Sequence, residues 1–339
     1  NRRALNIFEK ARGPDHIDVA KSLNNLALQY SAQGRYAAAG PLFKRALEIM
    51  EKTLGRHHPD VGVLLTSLAA LYIEQDSYGE AEPLFERALA IDEQALGPDH
   101  PDIATDLHNL AELNRLQGRH ATALPLYERA LAISRKSLGP DHPNLAASLD
   151  GLGRLYAATG RPEEAEAFYG RALEILEKTF GADHPNGAAT LAGLADLHSK
   201  QRNFNKALDF SRRATGIYQN RAILSQHRTL GGRLSEQKKV RGFYLSHIGA
   251  IAKVLASRQS GPTTLVAEGF KIAQFARATG TAAAIAGMAA RFATGDDMLA
   301  RLVREQQDRL TEWARLDSAL IAVVGRLRNA RNAGEEAAQ

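Results

Sequence analysis

Five histidines, His16, His58, His100, His142 and His184, stand 42 residues apart, and His57 doubles the second. Imidazole is the commonest zinc ligand, so the first chemistry to weigh is metal binding. A zinc site needs three or four ligands converging on one ion. A period of 42 instead sets one His per unit along an edge, so no metal is expected and helix capping or loop packing accounts for the recurrence. Each His lies in a Gly-x-x-His-x loop, beginning at Gly13, Gly55, Gly97, Gly139 and Gly181. Such loops are poor phosphate cradles. Each has a single Gly, mostly followed by Pro, which lacks the N–H that an anion needs. Ser, His and Asp are abundant, but no motif gathers them into a hydrolase triad. The chain has no Cys, which excludes disulfides, thiolate metal sites and a cysteine nucleophile. The expectation is therefore no catalytic residue, no cofactor and no enzyme activity within these 339 residues.

A fixed period of this length is the mark of a stacked-repeat protein, in which the repeats present an extended binding surface. Each unit reads as two amphipathic helices. In the third, Leu107, Leu110, Ala111 and Asn114 share one helical face, and after Gln117-Gly118-Arg119 a second face carries Ala123, Tyr127, Ala130 and Leu131. Both follow a 3.6-residue period rather than strand alternation. The spacing places Gly97 as a left-handed cap, Asp99 as the cap of the next helix and Pro101 in its first turn.

The same positions recur in register. Leu23, Leu65, Leu107, Leu149 and Leu191 are followed three residues on by Leu26, Leu68, Leu110, Leu152 and Leu194. The next residue is always small: Ala27, Ala69, Ala111, Gly153, Ala195. A small side chain beside a Leu lets the paired helix approach closely. Ala39, Ala81, Ala123, Ala165 and Ala207 repeat that logic in the second helix, and Phe43, Phe85, Tyr127 and Tyr169 fill the space between units. The fifth unit has Ser211 at that place, and a slight rotation would let Phe210 substitute.

This pattern resembles the tetratricopeptide repeat: apolar, Leu, small, Tyr, then Ala, aromatic, Ala. Tyr30, Tyr72 and Tyr156 occupy the Tyr position, while Asn114 and His198 depart from it. The long period and the Gly-Pro-Asp-His-Pro loop are similar to the kinesin light chain variety, over residues 13–222. The resemblance implies an all-α fold, a right-handed superhelix of helical hairpins whose first helices line a concave groove. Its inward-facing candidates are Asn24, Asn25, Thr66, Ser67, His108, Asn109, Glu112, Arg115, Asp150, Arg154 and Asp196. Asn can bond both the N–H and the C=O of an extended peptide, and Arg and Glu can select charged side chains.

The opening residues Ala4-Leu5-Asn6-Ile7-Phe8-Glu9-Lys10 match Ala46 to Lys52, so residues 1–12 read as the second helix of a preceding repeat and the chain as an excerpt. After residue 222 the rhythm fades. Residues 223–293 read as degenerate repeat-like helices, residues 294–331 as a long amphipathic helix with near-heptad apolar spacing around Trp313, and residues 332–339 as a disordered tail. Residues 223–339 hold 17 of the 43 basic side chains and 10 of the 38 acidic ones, against 26 and 28 in the repeats. Their densest patch, Arg228 to Arg241, has only Phe243 and Tyr244 nearby. That favours a solvated helix face over nucleic-acid binding.

Residues 240–320, including Gly269 to Gln274 and Leu302 to Asp308, resemble the helical segment that leads into the CHAT domain, a caspase-like His–Cys peptidase fold, in bacterial repeat proteins. That resemblance implies a sensing arm whose partners are a protein segment in the groove and a downstream domain of the same polypeptide. A stand-alone kinesin-light-chain-like adaptor is the alternative. No apolar run is long enough to span a bilayer, and no signal peptide and a cytoplasmic setting are expected.

The small position beside the Leu is a packing constraint. Ala111→Leu should overpack the hairpin and lower stability by about 1–3 kcal/mol in thermal melts; an unchanged midpoint would show that the helices are in a different register.

Overall fold

The structure is a computed structural model, described here for residues 2–224, 234–257 and, between 264 and 276, all but 266, 270 and 274. The extension expected at 294–331, with Trp313, lies outside the described residues, as does most of the segment similar to the CHAT lead-in. The chain divides into two units, Asn1–Ala182 and Asp183–Gln339. Among the described residues all regular structure is helical. In the first unit the order is α1 (Arg2–Arg12), α2 (Ile17–Ala32), α3 (Tyr36–Leu54), α4 (Pro59–Ile73), α5 (Tyr78–Leu96), α6 (Pro101–Leu116), α7 (His120–Leu138), α8 (Asn144–Ala158) and α9 (Pro162–Phe180). The second unit has α10 (Asn186–Lys200), α11 (Phe204–Leu224) and α12 (Leu234–Ser257). The pairs α2–α3, α4–α5, α6–α7 and α8–α9 pack as hairpins, and α3, α5 and α7 each pack on the first helix of the next pair. This is the all-α solenoid class anticipated from the period. Helix α12 lies within the stretch 223–293 read above as degenerate repeat-like helices.

The core forms where the register predicted it. Leu23, Leu65 and Leu107 are fully buried, as are Ala27, Ala69, Ala111, Ala39, Ala81 and Ala123. Phe43 and Tyr127 are fully enclosed and Phe85 and Tyr169 nearly so. In the second unit Ser211 is buried, and the neighbouring Phe210 stacks on His198 with ring centroids 5.4 Å apart. A ring is thus retained on the adjacent residue.

The loops correct two local expectations. Asp99 does not cap α6. His100 does: its Nδ1 accepts the backbone N–H of Asp102 at 3.3 Å. The same bond recurs from Asp18 to His16, Asp60 to His58, Asn144 to His142 and Asn186 to His184, at 3.1 to 3.3 Å. Each ring therefore presents a lone pair at Nδ1 to the exposed end of a helix, where backbone donors have no intrahelical partner. Asp99 instead pairs with Lys136 at 2.6 Å, as Asp15 does with Lys52 at 2.7 Å, tying the loop to the second helix of its own hairpin. Gly97 has φ +87° and ψ 155°, an extended mirror-image conformation open essentially to Gly alone, not the left-handed helical cap.

The buried polar side chains include one carboxyl at a place where the other repeats carry a hydroxyl or Leu. Asp106 occupies the place of Ser22, Leu64, Ser148 and Thr190, and is 7% exposed. Burial and the neighbouring Asp92 carboxyl, with which it shares a hydrogen bond, push its pKa up to about 7. Asp106 therefore keeps a proton in the fold that the unfolded chain releases above its ordinary carboxylate range. Its contribution to stability is complete below that range and is lost as pH rises toward 7.

Two outcomes are expected. Asp106→Asn should raise the melting temperature at pH 8 and leave it nearly unchanged at pH 4; an equal shift at both would show that the Asp92–Asp106 pair does not hold the extra proton. His100→Ala should cost about 0.5–2 kcal/mol in chemical denaturation, the usual worth of an N-cap, and a neutral result would assign the ring to loop packing alone.

Candidate functional site

The first helices α6 and α8 carry most of the predicted groove residues, and the structure brings five of them together. Glu112 lies at the centre. Arg115, one turn along α6, donates to it twice, from Nε at 2.9 Å and from Nη2 at 2.8 Å. The Tyr127 hydroxyl donates to Glu112 Oε2 at 2.6 Å from α7. From α8, Arg154 reaches Glu112 at 3.9 Å and Asp150 at 3.0 Å. His108 packs edge-on against the Tyr127 ring, with centroids 5.5 Å apart.

The charges are set by this packing. Burial opposes ionisation of Glu112, but Arg115, Arg154 and the Tyr127 hydroxyl outweigh it and hold its pKa down at about 2. Burial pushes His108 down to about 4, so its ring is neutral at neutral pH. Burial and the Glu112 charge raise Tyr127, which remains a phenol donor. Arg115 and Arg154 keep their charge because carboxylates compensate their desolvation. The outcome is a fixed floor of two guanidiniums and two carboxylates with a phenol and a neutral imidazole. It offers directed hydrogen bonds but no nucleophile beside a base.

The sequence alone did not single out Tyr127 as part of this group. The signal was present: Phe43 and Phe85 hold the same position, and only a hydroxyl distinguishes Tyr127 from them. Its partner change is Gly151, where Asn25, Ser67 and Asn109 stand in the earlier units. A Cβ at Gly151 would fall only 2.8 Å from Tyr127 Cζ, so the missing side chain is what admits the ring.

The remaining candidates are dispersed. Asn24 is half-buried and its side-chain oxygen finds no protein partner, while Asn25 is exposed. Thr66, Ser67 and Asn109 are half-buried; the Ser67 hydroxyl donates to Val63 of its own helix at 3.0 Å. Asp196 belongs to the second unit, is exposed, and pairs with Lys200 at 2.8 Å.

A constellation that the sequence reading did not find lies in the second unit. His247 Nδ1 is 2.9 Å from the Thr215 hydroxyl and its Nε2 is 3.0 Å from Glu268, which Arg212 grips at 2.8 and 2.7 Å. The order hydroxyl–imidazole–carboxylate resembles a hydrolase triad. Thr215 and His247 are however 1% and 2% exposed, so no substrate reaches them, and the group serves to join α11, α12 and the segment around Glu268. Among the described residues no cluster of three or more His, Cys, Asp or Glu could hold a metal ion, and no helix is long and apolar enough to cross a membrane.

Comparison with known proteins agrees with the helical-repeat fold. The tetratricopeptide repeat model matches residues 2–52, 18–94, 60–136, 107–178 and 156–220. No curated protein matches the sequence. Among solved structures, the chain is similar to a Podosopora anserina protein of nearly identical kinesin-light-chain TPR-like repeats, at 28% identity and TM-score 0.49 over 63% of this chain and 99% of that one. It is also similar to BtubC (BKLC) from P. vanneervenii, at 21% identity and TM-score 0.51 over 77% and 92%. A STAND protein with a tetratricopeptide repeat sensor from Pyrococcus horikoshii matches at 17% identity and TM-score 0.51, over 95% of this chain and 49% of that one. At these identities the last two speak to the fold alone. With the family model spanning most of the two units' helical hairpins, the chain belongs to the tetratricopeptide repeat family.

Proposed function

We propose that this chain is a non-catalytic scaffold that binds a protein or peptide segment along the row of first helices, through Asn24, Asn25, Thr66, Ser67, His108, Asn109, Glu112, Arg115, Asp150, Arg154 and Asp196. The observation that carries the reading is the polar floor around Glu112. It is confined to the third and fourth repeats, because the equivalent of Glu112 and Arg154 is Leu28 in the first repeat and Ala70 in the second. A purely structural row would have no reason to exchange an apolar residue for a half-buried ionic network, whose desolvation is costly. The half-buried Asn109 and the Asn24–Asn25 pair supply the amides that an extended backbone can bond.

The finer reading is that the scaffold is the sensing arm of a bacterial repeat protein with a caspase-like peptidase domain, acting in the cytoplasm. Its support is the likeness of residues 240–320 to the segment before such domains. The 42-residue period supports the other reading, a kinesin-light-chain-like adaptor with no linked enzyme. Reading the coding frame past Gln339 separates them: a His–Cys domain establishes the first and its absence leaves the second.

Replacing Asn109 and Arg115 together with Ala should weaken capture of a partner at least about tenfold, about 1.4 kcal/mol, with the helical circular-dichroism signal intact. If binding survives this and the equivalent changes at Asn25 and Arg154, recognition does not lie on the first helices.

A further inference from the structure

Along the second helices a different series runs with the same period. Arg45 pairs with Glu9 at 2.8 Å, Arg87 with Glu51 at 2.6 Å and Arg129 with Glu93 at 2.6 Å. Each pair spans 36 residues and bridges one second helix to the next, so the seams α1–α3, α3–α5 and α5–α7 are each closed by a glutamate and an arginine. At the α7–α9 seam the glutamate is replaced by Arg135. The register partner, Arg171, would meet a like charge there. It turns instead to Asp141 and to Glu174, the latter at 2.8 Å.

Where the clamp is missing, an open groove of about 610 Å³ lies between α7 and α9. Its floor is apolar: Leu131, Ala132, Leu152 and Phe168. Its rim carries Glu128, Arg135 and Lys136, and Lys136 is engaged by Asp99 at 2.6 Å. Arg135 is exposed. The apolar floor by itself does not distinguish this seam. Leu89 and Ala90 stand at the same places in α5, next to the closed Glu93–Arg129 pair. The charge reversal at position 135 is what differs.

We propose that the α7–α9 seam is a second docking site, for an acidic amphipathic segment of a partner protein. A large apolar side chain of that segment fills the groove over Leu131 and Phe168. Its carboxylate faces Arg135 and supplies the negative charge that Glu9, Glu51 and Glu93 supply at the other seams. The occupant is committed by charge complementarity: Arg135 stands where the other seams carry a glutamate, and its register partner Arg171 is already taken up by Asp141 and Glu174. Glu128 on the rim disfavours an unbroken acidic run, so carboxylates alternating with apolar residues fit best.

The test uses fluorescein-labelled short synthetic peptides in which Leu and Phe alternate with Glu, with Lys or with Ser, titrated against the 339-residue chain by fluorescence anisotropy. The Glu series should bind at least about tenfold more tightly than the other two. Arg135→Glu restores the periodic acid, so it should pair with Arg171, leave the melting temperature unchanged or higher, and abolish binding of the Glu series. Ala132→Glu, the residue found at the equivalent positions 48 and 174, should also block the groove and guards against misfolding of the first variant. The proposal is overturned if no series binds, if the Lys or Ser series binds equally, or if both variants retain wild-type affinity. It is also overturned if the Asn109/Arg115 double variant, rather than these two, removes the binding.

Discussion

How closely a ring can lie on a neighbouring backbone governs the first unit. Tyr169 rests against Gly153 of its own hairpin, and Tyr127 against Gly151 of the next, with atoms of each ring below 3 Å from where a Cβ would stand. In the earlier hairpins Ala27, Ala69 and Ala111 keep the same place small and are fully buried. No single hairpin can enclose both of its apolar faces, so stability comes from stacking. Stacking in turn requires that each second helix offer a large side chain and each first helix a small one. Every other feature of the unit is added to that contact.

The polar floor illustrates the dependence. The Tyr127 ring is held in the core between α6 and α8, so its hydroxyl emerges at a fixed point, 2.6 Å from Glu112. A Phe would pack equally well and give Glu112 one donor fewer. Glu112 then orders Arg115, and Arg154 bridges Glu112 and Asp150. A rigid, pre-paired set of charges binds with less loss of side-chain freedom than solvated ones would. In the proposed binding role the same pairing would make the set selective, since a ligand would have to offer better partners than those already present.

The loop edge and the second helices use the period differently. The imidazole caps recur at all five loops and Asp–Lys ties hold three of them to their own hairpin, through Lys52, Lys136 and Lys178, while the Glu–Arg clamps fix one hairpin to the next. Because identical residues recur at identical geometry, a single departure stands out. Arg135 is such a departure, and so is Asp106, whose buried carboxyl is raised in pKa by burial and by Asp92 where other repeats hold a hydroxyl or Leu.

The sequence by itself determined the period, the two helices per unit, the Leu–Leu–small register and the family. These follow from local periodicity repeated five times, which leaves one consistent way to bury the apolar stripes. Counting from that core, with the resemblance, also nominated a row of polar candidates on the first helices, of which the structure brings His108, Glu112, Arg115, Asp150 and Arg154 together. What the sequence could not supply were partners distant along the chain. That His100 rather than Asp99 caps α6 depends on the direction of a loop whose Gly97 adopts an uncommon backbone angle. That Tyr127 belongs to the polar floor depends on a contact 15 residues away, and that Thr215, His247 and Glu268 meet depends on contacts across 32 and 21. Periodicity fixes which face a side chain occupies, but only the packed helices decide which two faces are opposed and how far apart they stand.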